Sequence, residues 1–283
     1  MKILSFIFCV FVGFAAGAEF SQNDDKIAQK VYFDKTLPHA KNSKINNGFA
    51  LLYKGVKPVI AINAGHGTKG GSLVKTLANP FGLPKLTNGT NKKGDIYSLA
   101  VSKGAEGFKD GLSEAQLNLQ IAKILRKKLL NAGYGVLMLR NSDDVRLDNI
   151  ARTLLANKYA SIHISLHFDG TKSDSGVFCV ASKPEFYITK NSNQKNNELC
   201  EVLLGAFKNQ KIQIKSKESF IKDYKDFATY DDGKMFLDLT QSAYSSIPNV
   251  TMELGDLASE ISKQRLEALA NALLAGIEEY FNK

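Results

Sequence analysis

The chain reads VIAINAGHG from Val59 to Gly67. A short apolar run that ends in a glycine-rich turn is typical of a buried strand. Apolar runs at 134–139, 161–167, 176–181 and 249–254 also predict strands, and helix-like segments separate most of them. Strands that alternate with helices predict an α/β fold, in which helices cover both faces of a mostly parallel central sheet.

The first eighteen residues have the pattern of a secretory signal peptide. Lys2 precedes an apolar run at 3–14, and small residues follow at 15–18. The apolar run is too short to span a bilayer as a helix, and the small residues suit cleavage before Glu19. No other segment is long and apolar enough to be transmembrane. We therefore expect a chain that is exported from the cytoplasm.

Four candidate site residues fall at one edge of the predicted sheet. His66 follows the first strand, His167 and Glu253 end two others, and Glu114 lies in the first turn of a helix that Ser113 caps. The carboxyl ends of parallel strands meet at one edge, so these side chains can converge there. Two imidazoles, one carboxylate and water are typical of a catalytic zinc site, and a second carboxylate can act as base. Each residue taken alone also fits a structural role, such as a helix-dipole contact for Glu114.

His163 and His167 have the spacing of a metalloprotease helix motif, but the segment between them lacks that motif's glutamate. The alternation of apolar and polar residues predicts a strand instead. Four residues of strand separate the two imidazoles by roughly 13 Å, which is too far for one ion. We expect His163 to be a packed, hydrogen-bonded core histidine.

Short motifs also follow one another along the chain in a fixed order. They are NAGHG at 63–67, SEAQLNL at 113–119, Ile121 with Ala122, LRNSDD at 139–144, Leu147, Arg152, Ala156 with Asn157, Ala160, ISLH at 164–167 and MELG at 252–255. Together they resemble the amidase-3 family of zinc-dependent N-acetylmuramoyl-L-alanine amidases. The similarity extends roughly from Val59 to Phe281, and several motifs in order are more specific than any one of them.

This resemblance implies the chemistry of the site. It implies that His66, Glu114 and His167 bind Zn²⁺ and that Glu253 is the catalytic carboxylate. It also implies that the substrate is peptidoglycan, cut by zinc-activated water at the amide bond between N-acetylmuramic acid and the L-alanine of the stem peptide. We divide the chain into a signal peptide at 1–18, an N-terminal extension at 19–56 and a zinc amidase catalytic domain at 57–283.

The charge of the chain bears on its location and partners. The net charge is +9, and removal of the signal peptide, which carries one lysine and no acid, leaves +8. A basic surface favours an anionic partner, and export favours the polyanionic cell wall over nucleic acid, although charge alone does not separate wall from lipid headgroups. We expect a secreted protein, periplasmic or associated with the cell wall, with a protein activator as a further candidate partner.

Two other functions are compatible with the sequence. One is a zinc carboxypeptidase or endopeptidase acting on wall peptides, although its usual His-x-x-Glu pair is absent after His66. The other is a non-catalytic wall-binding regulator with the same fold, against which the presence of all four site residues argues. Asn63 stands where the family usually has an acid and Asp169 where it usually has an asparagine, so the groups around the metal differ.

The link between the first two proposed ligands is longer than the family normally uses. It spans 48 positions from His66 to Glu114, which makes residues 68–112 an insertion. Glu106 is therefore a second candidate for the carboxylate ligand. We prefer Glu114, because the LNL sequence at 117–119 follows it in the family's register.

Two stretches, 68–112 and 183–248, show no regular period. Long connections in compact enzymes are commonly lids or binding loops. We expect one of them to lie over the zinc cleft and to restrain activity until the wall or a partner displaces it. The alternative is an insertion that wraps the surface without a regulatory role.

Cys179 and Cys200 remain after removal of the signal peptide. An oxidising compartment would allow them to pair. The first lies in a strand-like run and the second in a helix-like run, so buried free thiols are equally compatible with the sequence.

Overall fold

The computed structural model describes residues 28–173, 176–183, 190–224 and 229–283. The predicted signal peptide and the first part of the predicted extension lie outside the described residues. The strands are β1 (Gln29–Tyr32), β2 (Phe49–Tyr53), β3 (Lys57–Ala64), β4 (Lys75–Leu77), β5 (Tyr97–Leu99), β6 (Tyr134–Met138), β7 (Ile162–Asp169), β8 (Phe178–Ala181), β9 (Thr229–Asp231), β10 (Lys234–Phe236) and β11 (Asn249–Asp256). The α-helices are α1 (Glu114–Asn131), α2 (Asn149–Tyr159), α3 (Lys190–Asn209), α4 (Lys217–Tyr224), α5 (Thr240–Tyr244) and α6 (Lys263–Asn282).

A large mixed sheet forms the centre of the described chain. Its strand order is β1-β2-β6-β3-β7-β11-β8-β10-β9. The four central strands β6, β3, β7 and β11 are parallel neighbours, whereas β2 and β8 run antiparallel to the strands at the two sides of this group. The predicted α/β fold with a parallel centre is confirmed, and the outer strands make the sheet mixed.

The register of the central strands determines where the site lies. Glu253 of β11 is the direct neighbour of His167 of β7, and Asn63 of β3 is the neighbour of Ser165 of β7. Because the three strands are parallel, their carboxyl ends lie at the same edge of the sheet. His66 follows β3 by two residues and therefore lies at this edge as well.

Helices cover both faces of the sheet, and successive residues of β3 show how. Ile60 and Ile62 belong to the apolar cluster that contains the buried residues of α1, α3 and α6. Ala61 points to the other face and belongs to the cluster that contains Ala151 and Leu155 of α2. Side chains of a strand alternate between the two faces, so a continuous apolar run is buried on both sides.

Helix α1 begins where the sequence predicts. Ser113 accepts a hydrogen bond from the backbone N–H of Gln116, and the Gln116 side chain accepts one from the backbone N–H of Ser113. This reciprocal pair is a capping box, which satisfies two backbone donors that the helix leaves free. Glu114 is consequently the first residue of the helix and faces the edge of the sheet where β3 and β7 end.

Two features of the chain are not evident from its sequence pattern. The extension contributes β1 and β2 to the central sheet, with β2 paired to β6. The irregular stretch from residue 183 contains α4 and the β9–β10 pair, and β10 pairs with β8. β1, β9 and β10 have only three or four residues each, and such short segments show no clear period. No helix of the described residues is long and apolar enough to cross a membrane.

Cys179 of β8 and Cys200 of α3 form a disulfide, with their Cα atoms 5.8 Å apart. Both residues are fully buried in the main apolar cluster. The sequence left pairing and free thiols open, and the structure shows pairing. The bond joins helix α3 to the strand beside β11.

We predict that the double substitution Cys179→Ala with Cys200→Ala lowers the free energy of unfolding by about 3 kcal/mol, because the cross-link across 21 positions restricts the unfolded chain. Urea unfolding of the oxidised protein, the reduced protein and the double variant measures this difference. Reduction should destabilise the unaltered chain but leave the double variant unchanged. Equal stability of all three samples would contradict the prediction.

Candidate metal centre and cleft

His66 lies in a strained turn that two buried arginines hold. Its backbone φ is 65°, which is uncommon for a residue with a side chain. Arg140 donates through Nε to the Ala64 carbonyl at 2.8 Å and through Nη2 to the Gly65 carbonyl at 3.1 Å. Arg152 donates through Nη2 to the carbonyl of His66 itself at 2.7 Å. The carbonyls of the turn thus have buried partners, which keeps the imidazole of His66 at the sheet edge.

The structure brings His66, Glu114 and His167 together. Glu114 Oε1 lies 2.8 Å from His66 Nε2 and 2.8 Å from His167 Nδ1. The three potential ligand atoms lie within 4.8 Å of one another. Glu106, the other candidate carboxylate, is exposed and lies 3.4 Å from Lys103. Glu114 is therefore the carboxylate that the fold places beside the two histidines, and the triad could hold a metal ion.

One nitrogen of this triad has no ordinary partner. His66 Nε2 is buried and makes no hydrogen bond with the described residues. Its 2.8 Å contact with Glu114 Oε1 is close but lacks hydrogen-bond geometry. A buried polar atom without a hydrogen bond is costly, so a group that binds it is expected. A metal ion shared with Glu114 and His167 would meet this need.

The charges of the triad suit metal binding. Burial lowers the pKa of His167. Burial opposes ionisation of Glu114, but hydrogen bonding to His167 and the proximity of His66 outweigh it and hold the pKa of Glu114 below its ordinary value. The site thus favours a neutral His167 beside an ionised carboxylate, and these are the protonation states in which such groups bind metals.

Glu253 faces the same site from the neighbouring strand. Its Oε2 is buried and has no hydrogen-bond partner among the described residues. Burial raises the pKa of Glu253 above its ordinary value, and the charges of Glu114 and Asp169 raise it further, while Lys215 lowers it. A carboxyl group whose pKa is raised is suited to accept a proton and to return it.

A cavity of about 570 Å³ opens beside these four residues. Both irregular stretches contribute to its lining, 68–112 through residues such as Asn91 and Ser102, and 183–248 through Leu239 and Gln241. The cleft is therefore bounded by long connections on two sides.

The positions near the three residues His66, Glu114 and His167 that depart from the family pattern have defined contacts. The Asn63 amide accepts a hydrogen bond from Arg152 at 3.0 Å and donates one to Ser165 at 2.8 Å. Asp169 accepts a hydrogen bond from the Tyr224 hydroxyl, and its Oδ2 lies 3.5 Å from Lys215 Nζ. Each replacement is thus bonded to a buried neighbour.

Lys215 is a buried cation that the sequence does not reveal. Its Nζ lies 2.9 Å from Asp223 Oδ2 and about 5 Å from the ring centroids of Phe178 and Tyr224. Lysines are usually exposed, and this one lies in a lysine-rich stretch without a regular period, so no local signal identifies it. The structure adds Lys215 to the groups whose charge reaches Glu253.

The expectation for His163 is corrected in part. The residue is fully buried, as predicted, but neither ring nitrogen has a hydrogen-bond partner among the described residues. Burial, with a further contribution from the charge of Arg152, lowers the pKa of His163 to about 3. It is a neutral core histidine and not part of the triad.

Solved structures with the same fold include several amidases. An N-acetylmuramyl-L-alanine amidase from Mycobacterium smegmatis is similar with a TM-score of 0.62 and 16% identity, over 81% of this chain and 99% of that chain. An N-acetylmuramoyl-L-alanine amidase from Clostridium difficile 630 has a TM-score of 0.55 and 20% identity, over 80% and 98%. The CwlD amidase from Clostridioides difficile, in complex with the GerS lipoprotein, has a TM-score of 0.53 and 19% identity, over 80% and 99%. At these identities the similarity establishes the fold.

Family membership rests on the sequence itself. None of the curated proteins matches the chain. The sequence model of a family described as N-acetylmuramoyl-L-alanine amidase matches residues 60–279, which is most of the chain and includes all four candidate site residues. The chain belongs to the N-acetylmuramoyl-L-alanine amidase family.

Proposed function

We propose that the protein is a zinc hydrolase that cleaves peptidoglycan at the amide bond between N-acetylmuramic acid and the L-alanine of the stem peptide. The observation that carries this proposal is the convergence of His66, Glu114 and His167 opposite Glu253 in one cavity. Family membership supports the amidase activity. The chemistry of the four residues supports hydrolysis assisted by a metal.

The donor set supports zinc as the metal. Two imidazoles and one carboxylate are typical of catalytic zinc sites, in which a further position stays open for water or substrate. His66 Nε2, which is buried without a hydrogen bond, supplies one donor. In this proposal His66, Glu114 and His167 hold Zn²⁺. The bound ion would supply Lewis-acid chemistry, which polarises an amide carbonyl and makes water a better nucleophile at neutral pH.

Glu253 acts as the general base and then as the general acid. Its carboxylate removes a proton from the attacking water while the water oxygen bonds to the lactoyl carbonyl carbon. It then passes the proton to the nitrogen of L-alanine as the carbon–nitrogen bond breaks. Its buried oxygen and raised pKa support this exchange.

The proposed location and partners follow from the substrate. We infer that the chain is secreted, by the signal peptide at 1–18, to the periplasm or the cell wall. The solved CwlD amidase forms a complex with a lipoprotein, which supports a protein activator as a partner here. Restraint of activity by residues 183–248 stays a prediction, for which the position of Leu239 and Gln241 in the cleft is the present support.

We predict that the mature chain, loaded with zinc, releases intact stem peptides from purified peptidoglycan. Mass analysis of the digest identifies the bond that is cut. Cleavage within the peptide would favour the endopeptidase or carboxypeptidase alternative. Binding of the protein to peptidoglycan without any cleavage would favour the wall-binding regulator. Either result would overturn the proposed amidase activity.

The metal proposal predicts about one zinc ion per chain. His66→Ala, Glu114→Ala and His167→Ala should each reduce zinc content, because each removes one of three protein donors. Glu106→Ala is the matched control, since this exposed carboxylate lies outside the triad. Metal analysis after dialysis measures the content. Full occupancy in Glu114→Ala, with loss in Glu106→Ala, would reverse the choice of ligand.

The role proposed for Glu253 predicts that its substitution lowers turnover without changing zinc binding. Glu253→Gln preserves the size of the side chain but removes its ability to accept a proton. We expect zinc content to stay unchanged and turnover to fall at least ~10²-fold. Rates on a soluble muropeptide, with Glu106→Gln as the control, measure the effect. Near-normal turnover in Glu253→Gln would remove this residue from the mechanism.

A further inference from the structure

The last part of the insertion, Ser102–Ala105, contacts two of the three proposed zinc ligands. The Ser102 carbonyl oxygen lies 2.8 Å from His66 Nδ1. A carbonyl oxygen can only accept a hydrogen bond, so Nδ1 must carry the proton and donate it. The other nitrogen, Nε2, then has its lone pair free on the side that faces Glu114. The insertion therefore selects the form of His66 that can bind a metal through Nε2.

The same segment also orients Glu114. The backbone N–H of Ala105 donates to Glu114 Oε2 at 2.7 Å, and the backbone N–H of Glu114 donates to the Ala105 carbonyl at 3.0 Å. The first bond holds one carboxylate oxygen on the insertion, and the second holds the backbone of the same residue there. The other oxygen, Oε1, is left directed toward His66 and His167.

Gly104 allows this close approach. Its φ is +90°, and a Cβ atom built on it would lie 2.7 Å from Cδ2 of His66 and 3.0 Å from Oε2 of Glu114. A side chain at this position would therefore displace one of the two ligands. Gly107 has almost the same backbone, with φ +88°, but a Cβ atom there would meet nothing within 4 Å. The need for glycine at position 104 thus arises from contact with the ligands as well as from its backbone.

The insertion that contains this segment is anchored to two elements outside it. Just before it, the Ala100 carbonyl accepts a hydrogen bond from the backbone N–H of Asn149, the first residue of α2. Earlier in the insertion, the backbone N–H of Leu86 donates a hydrogen bond to Asp238 at 2.8 Å. The ammonium of the buried Lys85 lies 3.8 Å from the same aspartate. These contacts join the insertion to α2 and to the second irregular stretch, and the contact at Ala100 lies two residues before Ser102.

We propose that residues Ser102–Ala105 are positioning residues that preorganise the metal site, and that the insertion 68–112 is required for tight zinc binding. The inference rests on the proposed zinc function. For residues 68–112, this inference replaces the expectation that the segment restrains activity. Displacement of the segment would release His66 Nδ1 and Glu114 Oε2 from their hydrogen-bond partners. A segment that builds the site cannot be moved away to activate it.

The test is the zinc affinity of Gly104→Ala, measured on the metal-free full chain by competition with a chromophoric chelator. Loss of a group that orients a metal ligand typically weakens binding about 10- to 100-fold, and we expect a loss of this size. Gly107→Ala is the matched control, because it imposes the same backbone strain without the contact. Its affinity should equal that of the unaltered chain.

A second variant keeps the test decisive if Gly104→Ala fails to fold. Ala105→Pro removes the N–H that donates to Glu114 Oε2, and it should also weaken zinc binding. Thermal unfolding of the metal-free proteins shows whether each variant folds. Unchanged affinity in a folded Gly104→Ala would overturn the inference, as would loss of folding in both variants, which would show a purely structural role. Absence of zinc binding by the unaltered chain would instead overturn the proposed zinc site itself.

Discussion

The buried carboxylate of Glu114 is the constraint on which the arrangement of the site depends. A charge removed from water is costly unless polar groups surround it. Here Oε1 has an imidazole nitrogen on two sides, and Oε2 accepts the backbone N–H of Ala105. These partners come from the turn after β3, from β7 and from the insertion. Three segments that are distant from one another in sequence must therefore pack together around Glu114, the first residue of α1.

Two buried guanidinium groups extend this constraint into the rest of the fold. Arg140, which follows β6, donates to the carbonyls of the turn after β3 and to Ala115 in α1. Arg152, in α2, donates to the carbonyl of His66. The segment after β6 and helix α2 thus both hold this one turn. The positive charge of Arg152 also lowers the pKa of His167, which helps to keep that imidazole neutral and able to bind a metal.

Much of this arrangement can be predicted from the sequence, because it depends on local sequence patterns. The apolar run before His66 and the cap at Ser113 specify a strand and a helix start, and the order of motifs points to His167 and Glu253. The direction of β8 cannot be predicted from its sequence, because its four residues are all buried, as in the parallel central strands, although β8 runs antiparallel to β11. The role of Ser102–Ala105 is also hidden, since it depends on backbone atoms and on contacts that the residue types do not encode.

Asp169 departs from the family pattern, and its contact with Lys215 offsets part of the effect of its charge on Glu253. Asp169 brings a negative charge near Glu253, where the family usually has a neutral amide, and this charge raises the pKa of Glu253. The ammonium of Lys215, buried against aromatic rings and 3.5 Å from Asp169, lowers the same pKa. A buried charge without a partner is strongly unfavourable. The aspartate and the lysine therefore act on Glu253 in opposite directions, while burial and then the charge of Glu114 are the largest causes of its raised pKa.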